Sequence, residues 1–123
     1  MANYLLAGGS GFIGKTLTTL LQADGHRVFI LTTNKRLLAS PTHPTLAYVY
    51  WNPAKGYMQE DFLLEEVILV NLAGAGVADK RWDAKRKREI LESRIQSIQT
   101  LYNAIERKQI QVRYFISASA IGY

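Results

Sequence analysis

The sequence predicts an α/β domain in which a parallel sheet carries helices on both faces. Three observations lead there. An apolar run, Tyr4-Leu5-Leu6-Ala7, enters the turn Gly8-Gly9-Ser10-Gly11-Phe12-Ile13-Gly14 and leaves it in a helical pattern of Ile13, Leu17, Leu20 and Leu21. Later runs at 28–31 and 67–70 are continuously apolar rather than alternating, as strands covered on both faces are, and 67–72 and 112–116 are read as further buried strands. The segments between them are long enough for crossovers, and right-handed crossovers give the strand order 3-2-1-4-5.

The glycine turn is the element the rest of the chain serves. Read from Gly9 it is G-x-G-x-x-G between a strand and a helix, the setting a dinucleotide-binding fingerprint requires, so the sheet is expected to be Rossmann-like. The first glycines permit the tight turn, Gly11 lets the backbone approach a pyrophosphate, and Gly14 lets the helix pack close to the strand. Backbone N–H groups at the start of the helix then face the anion. Residues 9–16 also satisfy G-x-x-x-x-G-K-[ST], the phosphate loop of nucleotide triphosphatases. That reading wants an Asp at the end of another strand for Mg²⁺, where this chain has Asn71. Phe12 and Ile13 are also large and apolar for a phosphate-wrapping loop, whereas in the dinucleotide reading they start a helix and can face inward. A plain glycine turn is the bland alternative.

Composition bounds the function classes. The chain has 123 residues, enough for one domain, with 48% hydrophobic and 20% charged residues, as in a globular protein. It has no cysteine, which excludes a disulfide-stapled scaffold. No apolar stretch approaches ~18 residues, and no basic segment precedes the N-terminal apolar run, so a membrane span and a secretory signal are not expected and the cytoplasm is the default setting. The net charge of +5 suits an anionic partner. It is unevenly placed: between Asp24 and Glu60 there is no acid, while Arg27, Lys35, Arg36 and Lys55 fall inside that window.

In order, the first helix should end near Asp24-Gly25, with glycine in the left-handed position after it. The second strand, 28–31, runs into Thr32-Thr33-Asn34-Lys35-Arg36, where such folds meet the adenosine ribose. An acid there favours NAD and a base accommodates the 2′-phosphate of NADP. Two hydroxyls and two cations without a carboxylate therefore predict NADP, with NAD as the alternative and a solvated basic loop as the structural one. Residues 37–43 read as loop, and His26 and His43 lack the partners a metal or catalytic site needs, so no metal is expected. Residues 45–51 read as a third strand ended by Asn52-Pro53, and 58–66 as a short helix with Phe62 and Leu63 inward. The strand 67–72 opens into Ala73-Gly74-Ala75-Gly76, small residues against which a ribose or flat ring can lie. The basic stretch 79–89 has little aromatic interleaving beyond Trp82, so nucleic acid is not the expected partner. It leads into a long amphipathic helix with Ile90, Leu91, Ile95, Ile98, Leu101, Tyr102 and Ile105 at helical spacing. The last strand, 112–116, opens into Ser117-Ala118-Ser119-Ala120.

Taken together, GGSGFIG, the WNP after a tryptophan-bearing strand, NLAGAGVADKRW, ESR and ISASAIGY resemble one family: the atypical short-chain dehydrogenase/reductases known as epimerase-like or NAD(P)-dependent sugar-nucleotide epimerase-like proteins. The resemblance spans almost the whole chain. It implies a cofactor site at Gly8, Gly9, Ser10, Gly11, Phe12, Ile13, Gly14, Thr32, Thr33, Asn34, Lys35, Arg36, Leu72, Ala73, Gly74, Glu89, Arg94, Ser117 and Ala118. Ser119 would stand where extended reductases hold a hydroxyl beside the substrate. Relatives often end the second strand with Arg where this chain has Thr33, so Lys35 or Arg36 would substitute. Relatives are also about twice as long or more, which makes this chain the expected N-terminal, cofactor-binding part of a single Rossmann domain truncated after the fifth strand. A Tyr-x-x-x-Lys proton donor and the substrate lobe are absent from it. It is expected to be silent by itself, with hydride transfer on a carbonyl or sugar-type small molecule in the longer form. The open sheet edge invites self-association. A non-catalytic NADP-binding sensor or interaction module is the alternative from another class.

Overall fold

A computed structural model of the chain describes residues 2–8, 12–39, 43–59, 66–72, 84–107 and 110–117. The elements are β1 (Asn3–Ala7), α1 (Phe12–Ala23), β2 (Arg27–Thr32), α2 (Lys35–Leu38), β3 (Leu46–Asn52), a 3₁₀ turn (Pro53–Lys55), β4 (Tyr57–Met58), β5 (Glu66–Asn71), α3 (Ala84–Glu106) and β6 (Gln111–Ser117). They form one six-stranded sheet in the order β4-β3-β2-β1-β5-β6. All pairs are parallel except β3 with β4. The parallel strands thus take the expected order. The addition is β4, two residues folded back on β3 after Gly56 takes a left-handed φ of 65°.

The continuous apolar runs are explained by two cores, one on each face. Along β1, Leu5 and Ala7 point to one side and Leu6 to the other. Leu5, Leu31, Val49, Trp51, Val67 and Leu69 pack under Leu101 and Ala104 of α3. Leu6, Val28, Ile30 and Val70 pack under Leu21 of α1. β1, β2 and β5 therefore bury consecutive residues, while β3 buries Val49 and Trp51 in alternation. The strand expected to be buried at 112–116 is instead exposed from Arg113 onward, because β6 is the edge of the sheet and only Val112 packs against the core.

Three local expectations are corrected. The inward stripe of α1 is Gly14, Leu17, Thr18 and Leu21, whereas Ile13 and Leu20 face solvent. Gly14 is buried, and the Thr18 hydroxyl donates to its carbonyl at 2.7 Å, which spends a polar group that would otherwise be stranded there. Leu37 and Leu38, expected in a loop, lie in a helical turn with Lys35 and Arg36, because Asn34 caps it by accepting from the Arg36 N–H at 3.0 Å. Of the helix expected at 58–66, Met58 belongs to β4 and Glu66 begins β5, while residues 60–65 lie outside the described residues. Near the start of β6 the register shifts between Val67 and Ile68, whose partners are Val112 and Tyr114, so Arg113 is the extra residue of a bulge.

Candidate functional site

Parallel order places the carboxyl ends of all five long strands on one rim. The chain leaves β1 toward β2, while β5 lies on the other side of β1, so the β1/β5 boundary is where the winding reverses. Ligands of open α/β sheets collect at such a boundary, where neighbouring connections diverge. Here Ala7 pairs with the buried Asn71, and the Leu72 N–H donates to the Ala7 carbonyl at 2.7 Å.

Beside this boundary lies a cavity of about 290 Å³ lined by Gly8, Leu31, Thr32, Thr33, Asn34, Leu37 and Trp51. Gly8 leaves β1 with φ 82°, a left-handed conformation that a side chain would strain. Leu31 and Trp51 are buried and give the cavity an apolar floor. Its polar side comes from the turn between β2 and α2. The Thr32 hydroxyl, itself buried, accepts from the Asn34 N–H at 3.0 Å and holds that turn in shape. Thr33 and Asn34 are thereby left on the exposed rim. Among the described lining residues there is no carboxylate. Lys35 and Arg36 stand just beyond the rim, both exposed, and the Lys35 Nζ lies 5.2 Å from the Tyr50 ring centroid. Tyr57 sits against the same ring at 5.8 Å.

The structure thus gathers Gly8, Thr32, Thr33 and Asn34 around one cavity, with Leu72 across the β1/β5 boundary. Phe12 begins α1, Ile13 is exposed on its first turn and Gly14 is buried against the sheet. Glu89 is exposed and Arg94 half-buried on α3, and neither lines the cavity. Ser117 ends β6 on the same rim, paired with Asn71. Gly9, Ser10, Gly11, Ala73, Gly74, Ala118 and Ser119 lie outside the described residues. Sequence reasoning did not assign Leu31, Leu37 and Trp51 to the site. Trp51 reaches the rim because β2 and β3 pair Thr32 with Tyr50, a register that the linear pattern does not contain.

A second cavity, about 380 Å³, opens between α1 and α2 over Ile30, Leu46 and Tyr48, with Leu37 as a shared wall. Three of its polar side chains are used within the protein. Thr18 and Thr19 donate to the carbonyls of Gly14 and Lys15, and Gln22 donates to the Thr45 hydroxyl. It is the gap left where α2 has a single turn. The two histidines also serve the fold: His26 Nδ1 accepts from the Ala2 N–H, and His43 Nδ1 from the Thr45 N–H. Among the described residues no helix is long and apolar enough to cross a membrane, and no three potential metal ligands meet.

Comparison with known proteins agrees with this fold. The model of the NAD dependent epimerase/dehydratase family matches residues 4–122. Epimerase family protein SSP1921 of Staphylococcus saprophyticus is 36% identical over 100% of this chain and 39% of its own length. Epimerase family protein YfhF of Bacillus subtilis is 34% identical over 98% of this chain and 38% of its own length. The crystal structure of the human epimerase family protein SDR39U1 (isoform 2) with NADPH superposes with a TM-score of 0.69 at 26% identity, covering 98% of this chain and 37% of that one. The chain therefore spans well under half the length of these relatives.

Proposed function

The chain belongs to the NAD dependent epimerase/dehydratase family, and from that premise we propose that it is an NADP(H)-binding unit whose cavity beneath the β2–α2 turn receives the adenosine end of the cofactor. The observation that carries this reading is the chemistry of that cavity. It has an apolar floor, a rim of hydroxyl and amide groups, no carboxylate among its described lining residues, and two cations at its edge. A ribose carrying a 2′-phosphate is anionic where that of NAD is not, so cations in place of a carboxylate favour NADP. The residues present fit the group. Leu31 and Trp51 take the flat apolar ring, Thr33 and Asn34 the ribose, and Lys35 or Arg36 the 2′-phosphate. The glycine turn, from the left-handed Gly8 to the buried Gly14, takes the diphosphate at the start of α1. The NADPH held by the human relative supports the same choice.

NADP, once bound, accepts or donates a hydride, and in the longer relatives we assign that step to a carbonyl or sugar-type substrate. This chain's part is to hold the cofactor, with Glu89, Arg94 and Ser117 near the NADP and Ser119 as the hydroxyl beside the substrate. The triphosphatase reading is disfavoured by the end of β5, where the residue that would organise Mg²⁺ is the buried amide Asn71. The test is a titration with NADPH, NADH and ATP, each with and without Mg²⁺. NADPH is expected to bind tighter than NADH, independently of Mg²⁺. Mg²⁺-dependent ATP binding without a response to NADPH would overturn the proposal.

A further inference from the structure

The cavity between α1 and α2 sits among elements that carry cations and no acid. Together α1, β2, α2 and β3 contain Lys15, Arg27, Lys35 and Arg36 and not a single carboxylate. Before Glu60 the chain's one acid is Asp24, past the end of α1 and about 13 Å along the helix axis from Lys15. Lys15 lines the cavity and is exposed. A cleft with apolar walls and one sign of charge focuses the field of that charge and draws counter-ions. The floor is apolar: Ile30 is buried, and Leu37, Leu46 and Tyr48 are half-buried around it. Thr18 and Thr19 spend their hydroxyl donors on carbonyls of their own helix, so the Lys15 ammonium is the strong donor left on the wall. At about 380 Å³ the space is within the range of small-molecule sites.

We infer that this cavity is a second ligand site, one that takes a small monoanion with a compact apolar body, an aryl or branched-alkyl carboxylate. The body lies on Ile30, Leu37, Leu46 and the Tyr48 ring, and the acid faces the Lys15 ammonium. Burial of the body is the main source of affinity, and the charge sets its orientation. A single cation does not balance a polyphosphate, and a floor of apolar side chains leaves the hydroxyls of a sugar unpaired, so nucleotides and glycosides fit here poorly. That separates this cavity from the proposed cofactor cavity, whose rim carries hydroxyl and amide groups. Among their described lining residues the two share only Leu37.

Amide-resolved heteronuclear NMR of the 123-residue chain titrated with diphenylacetate tests this. Saturable shifts are expected at Lys15, Thr19, Leu46 and Tyr48, with a dissociation constant of about 1 mM or tighter, the efficiency ordinary for a ligand of this size. Uncharged diphenylacetamide should bind about fivefold more weakly, the worth of an exposed ion pair. Lys15→Gln should cost diphenylacetate the same factor and leave diphenylacetamide unchanged. Thr19→Phe puts a ring into the cavity and should abolish binding of both. Thr19 is exposed, so the fold should survive, which circular dichroism checks. Saturating NADPH should leave diphenylacetate bound. Shifts that do not saturate up to about 10 mM overturn the inference. So does binding that Lys15→Gln and Thr19→Phe both spare, or that NADPH or the Lys35→Ala, Arg36→Ala double variant abolishes, since the probe then sits elsewhere. A protein that ignores NADPH yet binds diphenylacetate through Lys15 would sink the cofactor reading and keep this one.

Discussion

Thr32→Val isolates the bond that shapes the rim of the proposed cofactor site. The substitution keeps the side-chain shape and removes the oxygen that accepts from the Asn34 N–H at 3.0 Å. Thr32 is 6% exposed, but Asn34 is at the surface, so water can replace part of what is lost. The cost is then that of an ordinary hydrogen bond, about 1 kcal/mol, rather than the ~3 kcal/mol of a fully stranded donor. For a domain of this size that is a fall in Tm of about 4 °C. In urea the midpoint should drop with an unchanged slope. Binding should suffer as well, because the same turn presents Thr33 and Asn34 to the cavity. If ordering that turn on binding costs a similar ~1 kcal/mol, NADPH affinity falls about fivefold. The assay is urea unfolding beside an NADPH titration monitored by tryptophan fluorescence. Thr33→Val is the control: exposed, it should leave stability within about 0.5 kcal/mol while still weakening NADPH. A Thr32→Val protein that loses stability yet binds NADPH as before would refute the link between the turn and the site. One unchanged in both would refute the role of the hydroxyl.

The same geometry sets further outcomes. The double variant Lys35→Ala, Arg36→Ala should weaken NADPH about tenfold relative to NADH, the size of one charge-assisted hydrogen bond, and an unchanged ratio would remove both residues from the 2′-phosphate. In a Trp82→Phe background the remaining tryptophan, Trp51 on the cavity floor, should change its emission as NADPH saturates, and a silent Trp51 would place the ligand elsewhere. Leu69→Ala, at a fully buried position in the core under α3, should cost about 3 kcal/mol in chemical unfolding. Gly25→Ala should cost about 1 kcal/mol, since φ is +83° but nothing lies within 4 Å of an added Cβ; a much larger loss would point to a clash the structure does not contain.

The sequence by itself determined the winding. Strand-turn-helix at Tyr4 to Gly14 and the continuous apolar runs at 28–31 and 67–70 leave a parallel sheet covered on both faces as the arrangement that buries them, and crossover handedness then orders the strands. It also marked Thr32, Thr33 and Asn34, because residues that leave the second strand of such a sheet emerge on the ligand-bearing rim. Direction around a helix axis and contact across strands were beyond the linear pattern. Ile13 and Leu20 fit the helical period of α1 as well as Leu21 does, yet Gly14 and Thr18 take the inward face. There the close approach of helix to sheet rewards a missing or short side chain over a larger one. The cap that turns Leu37 and Leu38 from loop into helix depends on one side-chain oxygen finding a particular N–H. The floor under the rim needed tertiary structure too, because Trp51 reaches Leu31 only through the β2–β3 register, and the two are far apart in the chain. Periodicity reports that a helix has an apolar side; only packing decides which of two such sides on α3 meets the sheet and which stays exposed.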